Sequence, residues 1–128
     1  MNKKRPVNRP KNLNLLTIRL PINAVVSILH RASGVALFIL LPVLLWFLQI
    51  AVKNEDGYLT LVNLMHHLLA KLILIGLAWA FFHHFFAGLR HLGQDVHWMT
   101  SLQKARFSGR VVLWLVAIAV ITFTWKIW

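Results

Sequence analysis

The sequence predicts an all-α integral membrane protein with three transmembrane helices. Of its 128 residues, 59% are hydrophobic, whereas soluble domains are about 45–50% apolar. The apolar residues fall in three uncharged runs, over residues 38–52, 72–82 and 111–125. With the residues on either side, each run reaches the ~20 residues that an α-helix needs to cross a bilayer. We therefore expect one membrane domain over residues 1–128.

A polar, basic arm over residues 1–20 precedes the first span, and its prolines favour an extended conformation. The first span is expected over residues 23–52, with Pro21 suited to the helix start and Asn23 as a candidate N-cap. No small-residue cleavage site follows the apolar run, so we expect a true span rather than a cleaved leader. The arm suits either anionic lipid or a partner protein.

The second span is expected over residues 62–92 and the third over residues 109–128. A polar turn at residues 53–57 separates the first two helices. The third span ends with Trp125 and Trp128 on either side of a lysine, a combination typical of a membrane interface. Thr122 and Thr124 are the only polar groups expected on the inner face of that span, so it is expected to serve packing.

Basic residues collect on one side of the predicted membrane. The chain has 14 Lys and Arg against 3 Asp and Glu, a formal charge of +11. Most precede the first span or lie between the second and third, whereas the first connection has only Lys53, offset by Glu55 and Asp56. The positive-inside rule therefore predicts a cytoplasmic N-terminus and an external C-terminus. Because the charges flank spans rather than form a folded basic face, no nucleic-acid partner is expected.

The chain contains no cysteine and seven histidines. It therefore cannot bind an iron–sulfur cluster through thiolates, and histidine is its best transition-metal ligand. His66, His67 and His97 lie near predicted helix ends, where solvation explains them. His83 and His84 instead close the second apolar run, so a metal site is expected there.

His84, Gly88 and His91 share one face of the second helix, at spacings of four and three residues. An imidazole in an apolar wall, beside a residue without a side chain, suits a flat metal cofactor such as haem. We expect His84 to bind the iron and Gly88 to leave clearance for the haem ring. His83 points about 100° away around the helix and is the alternative ligand.

A polar cluster opens the first span on one side of the helix. Ser27 lies three residues before His30 and four before Arg31, so their side chains project from neighbouring positions. Counted from the cytoplasmic helix ends, Arg31 lies about 12 Å deep and His84 about 16 Å deep. Because the depths are similar, we expect His30, Arg31 or His91 to meet the haem propionates.

The second axial ligand of a six-coordinate haem is expected from another subunit. Met65 and Met99 lie at predicted helix ends, and no other span carries a mid-membrane histidine or methionine at the depth of His84. Nothing in the chain suits flavin binding or long-range electron transfer by itself. The sequence therefore predicts one component of a complex.

Four segments carry a family resemblance that extends over the whole chain. They are Arg-Pro at 5–6, Ile-Arg-Leu-Pro-Ile at 18–22, Ser-Ile-Leu-His-Arg-Ala-Ser-Gly at 27–34 and His-Phe-Phe-Ala-Gly-Leu-Arg-His-Leu-Gly-Gln-Asp at 84–95. These segments resemble the cytochrome b membrane-anchor subunit (the large anchor, or C subunit) of bacterial succinate dehydrogenase. The pairing of S-x-x-H-R-x-[ST]-G with H-x-x-x-G-x-R-H is specific.

The resemblance implies a four-subunit enzyme of the bacterial inner membrane. In that family a flavoprotein oxidises succinate, an iron–sulfur subunit relays the electrons, and two small anchors share one haem b. The resemblance implies His84 as this chain's axial ligand, and His30 with Arg31 near the propionates. Ser27 and Arg31 match positions at the ubiquinone site. Asp95 matches an acidic position on the cytoplasmic side, where protons would be taken up.

The chain alone is therefore expected to be a non-catalytic subunit of a respiratory and tricarboxylic acid cycle enzyme. The family position before the ligand is often aromatic, so His83 is a departure and stays the alternative ligand. One alternative function is the anchor of a quinol:fumarate reductase. Another is a haem-free structural anchor, which would have no reason to place His84, Gly88 and the Ser27–Arg31 face at one depth.

Overall fold

The computed structural model describes residues 19–128, which form four α-helices. They are α1 (Ile22–Lys53), α2 (Glu55–Met65), α3 (Leu68–Asp95) and α4 (Leu102–Ile127). Three of them, α1, α3 and α4, are long and apolar enough to cross a membrane, which confirms the predicted all-α, three-span fold. The predicted arm over residues 1–20, with the Arg-Pro of 5–6, lies outside the described residues except for its last two positions.

α1 begins one residue before its predicted start and continues through Pro42 to Lys53. The expected capping role of Asn23 is wrong, because Pro21 occupies the N-cap position and no side chain caps the helix. Proline fixes φ near the value a helix start needs, so Asn23 falls inside the first turn. There its Oδ1 accepts a hydrogen bond from Arg90 Nη2 at 3.1 Å.

The connection after α1 is a short helix rather than the predicted polar turn. The Asn54 side chain accepts a hydrogen bond from the Gly57 N–H at 2.8 Å, and this N-cap starts α2. Glu55 and Asp56 lie in its first turn, where carboxylates stabilise the positive end of the helix dipole. Gly57 packs on the carbonyl of Ile50, where a Cβ would clash. α2 therefore folds back against α1.

The second and third spanning helices begin at different residues from those predicted. α3 begins at Leu68, later than the predicted 62–92 segment, because His67 adopts an extended conformation and separates α3 from α2. α4 begins at Leu102, earlier than the predicted 109–128 segment. Its first turns are polar, so the apolar run marks the membrane and not the helix start.

α3 ends in a Schellman motif that turns the chain into α4. The His97 N–H donates to the Gln94 carbonyl and the Trp98 N–H to the Gly93 carbonyl, both at 2.9 Å. His97 has the left-handed φ of 61° that this motif requires, and Met99 has a φ of 58°. Non-glycine residues adopt this conformation at a cost. The Trp98 ring compensates by covering Gly93, where a Cβ would lie 3.1 Å from Cε3.

Small residues form the core where the three spanning helices meet. Val26 of α1, Ala87 of α3, and Val112 and Val116 of α4 form one buried cluster. Small side chains let membrane helices approach closely without a hydrophobic driving force between them. His83 is completely buried within the same bundle.

Arg90 ties the three spanning helices together near this core. Its Nε donates to Ser108 Oγ at 3.0 Å, and its Nη2 donates to Asn23 Oδ1 and to the Ala105 carbonyl at 3.1 and 3.2 Å. A Cβ on Gly109 would lie 3.3 Å from Asn23 Oδ1, so this glycine lets α1 and α4 meet. One guanidinium therefore fixes the starts of α1 and α4 against the end of α3.

Candidate functional site

A hydrogen bond from a His84 ring nitrogen to the backbone of α1 orients the His84 ring. Nδ1 lies 3.1 Å from the carbonyl oxygen of His30. Because a carbonyl can only accept a hydrogen bond, Nδ1 carries the proton and Nε2 keeps a free lone pair. Histidines that bind metals characteristically donate their other N–H in this way. His84 is therefore oriented to act as a ligand through Nε2.

Two glycines make room for two histidine rings between α1 and α3. A Cβ on Gly34 would lie 2.7 Å from His84 Cε1, so this ring position requires glycine. A Cβ on Gly88 would lie 3.4 Å from His30 Nε2. The rings of His30 and His84 stack with centroids 4.2 Å apart and planes inclined by 8°. Each helix thus contributes one histidine and faces one glycine.

The two sequence motifs meet between α1 and α3. His91 lies two turns along α3 from His84, and its ring centroid is 5.0 Å from that of His30. His30 therefore lies between the two α3 histidines, against the space at Gly88. His30 of the α1 cluster therefore contacts both His84 and His91, and the roles expected for these residues stay predictions.

Ser27 and Arg31 lie on an accessible part of α1 beside this histidine cluster. Arg31 Nε donates to the carbonyl of Ser27 at 3.4 Å, so the guanidinium folds back along the helix toward Ser27. Arg31 is exposed and Ser27 is half-buried. A hydroxyl and a guanidinium are therefore available together to a ligand. Asp95 is the last residue of α3 and is exposed.

His83 occupies a different environment from its neighbour. Its exposed fraction is 0%, and its Nε2 lies 3.4 Å from the carbonyl of Val26. Its Nδ1 is buried and has no hydrogen-bond partner among residues 19–128. Trp79 stacks on the ring at 5.6 Å. Because the ring is enclosed by its own chain, the structure favours His84 over His83 as a ligand to any group shared with a second chain.

Sequence reasoning assigned no role to Ser33 or Gly34. Ser33 Oγ donates to the same His30 carbonyl as His84, at 2.9 Å, and Gly34 receives the His84 ring. The sequence feature that could have indicated a role for Gly34 is its spacing, because it follows His30 by one helical turn and shares its side of α1. Residues 19–128 contain no group of three or more His, Cys, Asp or Glu suited to hold a metal ion.

The fold and this site define a three-span membrane subunit with a histidine cluster between its first two spans. The chain belongs to the family of succinate dehydrogenase/fumarate reductase transmembrane subunits, which it matches over residues 5–123.

Several relatives share one description, the succinate dehydrogenase cytochrome b556 subunit. The succinate dehydrogenase cytochrome b556 subunit of Coxiella burnetii is 34% identical over 129 residues, covering 100% of both chains. That of Rickettsia felis is 33% identical over 120 residues, covering 94% of this chain and 90% of its own. That of Paracoccus denitrificans is 33% identical over 106 residues, covering 83% of this chain and 82% of its own.

These matches confirm the resemblance to the cytochrome b anchor of succinate dehydrogenase. The chain is therefore a membrane-anchor subunit that associates with other subunits of that complex.

Proposed function

We propose that this chain binds haem b and ubiquinone, and passes electrons from the iron–sulfur subunit of succinate dehydrogenase to ubiquinone. The observation that carries this proposal is the α1–α3 contact in which the His84 ring stacks on His30 and Nδ1 bonds to the His30 carbonyl. His30 lies on α1 between Ser27 and Arg31. The relatives are named cytochrome b556 subunits of succinate dehydrogenase, which supports haem binding. The same names favour succinate oxidation over fumarate reduction.

His84 would bind the haem iron through Nε2, and a second small anchor subunit would supply the other axial ligand. Bound haem would supply an iron centre that accepts and releases one electron at a time. His30, Arg31 and His91 would face the propionates, because cationic donors pair strongly with carboxylates. Gly88 adds no side chain beside the His30 ring, which would leave clearance for a flat macrocycle.

Ser27 and Arg31 would bind the ubiquinone headgroup. The Ser27 hydroxyl would donate to a quinone carbonyl, and the Arg31 guanidinium would stabilise the negative charge that develops on that oxygen during reduction. Reduction to the quinol consumes two electrons and two protons. Asp95, exposed at the end of α3, is the proposed entry point for protons from the cytoplasm.

The proposed setting is the bacterial inner membrane, with the N-terminus and the α3–α4 connection in the cytoplasm and the C-terminus outside. The distribution of charge supports this orientation, since Arg90, Lys104, Arg106 and Arg110 flank that connection. The iron–sulfur and flavoprotein subunits would dock on the cytoplasmic side. The basic residues would also contact anionic lipid headgroups.

The test separates quinone chemistry from succinate chemistry in the assembled complex. Ser27→Ala and Arg31→Ala should each lower ubiquinone reduction by about tenfold or more, because each removes a donor from the reacting oxygen. Succinate oxidation with an artificial soluble acceptor should stay unchanged. Thr122→Ala and Arg110→Ala are matched controls elsewhere in the membrane segment and should leave both rates unchanged. Equal losses in both assays for the Ser27 and Arg31 variants would refute the assignment.

A further inference from the structure

Two consecutive residues of α3 hold α1 at two carbonyls one helical turn apart. His83 Nε2–H donates to the carbonyl of Val26 at 3.4 Å, and His84 Nδ1–H donates to that of His30 at 3.1 Å. Residues four apart lie on the same side of a helix. We call this pair of bonds the histidine clamp. Together with the bond from Arg90 to Asn23, these two bonds set the depth and the rotation of α1 against α3.

Packing alone does not account for a histidine at position 83. The side chain is completely buried, and its Nδ1 has no hydrogen-bond partner among residues 19–128. Burying an unpaired polar atom is unfavourable, and a phenylalanine would fill a similar volume without that cost. The bond from Nε2 to Val26 is what distinguishes histidine from phenylalanine at this position.

We propose that His83 is a positioning residue for the quinone site and acts through the Val26 carbonyl. The proposal rests on the proposed function of Ser27 and Arg31. The peptide group that His83 binds joins Val26 directly to Ser27, and the Arg31 guanidinium in turn donates to the carbonyl of Ser27. One bond from α3 therefore sets the direction in which the hydroxyl and the guanidinium project. The bond from His84 does the same for His30, one turn further along.

Two substitutions in the assembled complex separate positioning from packing. His83→Phe keeps a ring but removes the Nε2–H, whereas His83→Gln keeps an N–H donor at a comparable reach. We expect His83→Phe to raise the KM for a short-chain ubiquinone about three- to tenfold, the range that one neutral hydrogen bond supports. Succinate oxidation with a soluble acceptor should be unchanged. His83→Gln should restore the KM to within about twofold of the parent.

The clamp itself is measured without quinone, by amide hydrogen exchange in the same complexes. Residues 22–33 of α1 should exchange faster in His83→Phe than in the parent or in His83→Gln, because α1 has lost one of the hydrogen bonds that His83, His84 and Arg90 make to it. Exchange along the second half of α4 should be the same in all three proteins.

Each result decides the proposal. An unchanged KM in His83→Phe overturns it, and so does an equal rise in KM for the Phe and Gln variants. If His83→Phe and His83→Leu fail to assemble while His83→Gln assembles, the residue acts in folding and the positioning role is wrong. Ser27→Ala is measured in parallel. If it leaves ubiquinone reduction unchanged, the proposed function fails, and hydrogen exchange still decides whether the clamp exists.

Discussion

The position of the His84 ring depends on Gly34 having no Cβ. A Cβ there would lie 2.7 Å from His84 Cε1, so Gly34→Ala must displace the ring and strain its bond to His30. Overpacking of this kind costs about 1–3 kcal/mol. We expect Gly34→Ala to lower haem content or shift the low-spin haem absorbance of the purified complex. His84→Leu, which removes the proposed ligand, should abolish that absorbance.

Gly76→Ala is the matched control for Gly34→Ala, because the added Cβ would have no neighbour within 4 Å among residues 19–128 beyond its own helix backbone. It should leave the haem spectrum unchanged. A normal spectrum in His84→Leu, together with its loss in His83→Leu, would move the ligand by one residue and contradict the assignment.

Sequence spacing predicted which residues meet but not which way each one faces. His84 could be found because its face also carries Gly88 and His91 at helical spacings. The burial of His83 could not be predicted, because it depends on how α1 packs against α3. Gly34 was part of a recognised motif, yet its role appears only when the opposing ring is in place. Rotation of one helix against another is a tertiary property.

The helices depend in turn on Arg90, which bonds to α1 and α4 from the end of α3. We expect Arg90→Leu to lower the thermal unfolding midpoint of the complex, because Asn23 Oδ1 and Ser108 Oγ lose the donor that joins them to α3. The free energy of unfolding should fall by about 1.5–3 kcal/mol, the range for hydrogen bonds to a charged group. Arg90→Lys should recover only part of this stability, since an ammonium lacks the planar fork that reaches several acceptors.

Arg110→Leu is the control for the Arg90 prediction. It removes the same charge from an exposed position of α4 and should change the unfolding midpoint little. If the two leucine variants were equally stable, the charge of Arg90 and not its bonds would be the relevant property.

Helix existence was easier to predict than helix boundaries, for a physical reason. Hydropathy reports which residues meet hydrocarbon, and it located all three spans. The boundaries depend on local backbone chemistry, such as the Asn54 cap that starts α2 and the extended His67 that separates it from α3. The polar first turns of α4 are helical for the same reason, although they lie outside the apolar run.

As a whole, the molecule leaves most of its large apolar side chains uncovered. An apolar groove of about 650 Å³ lies between α1, α2 and α3, and its lining includes Val43, Phe47 and Leu74. In water such a surface would favour aggregation. In a bilayer it is expected, because lipid tails solvate apolar side chains while the helices satisfy their own backbone. The stability of this subunit is therefore inseparable from the membrane around it.

We infer the orientation of the molecule from where its charges lie, and the absence of cysteine makes that orientation measurable. Lys53→Cys and Thr100→Cys each place one thiol at an exposed position, after the first span and between the second and third. The positive-inside rule predicts opposite sides for them. In intact spheroplasts, a membrane-impermeant maleimide should label Lys53→Cys and not Thr100→Cys. After the membrane is dissolved in denaturing detergent, both should be labelled. The reverse pattern in spheroplasts would place Ser27, Arg31 and His84 in the outer half, away from any cytoplasmic electron donor, and would contradict the proposed path to ubiquinone.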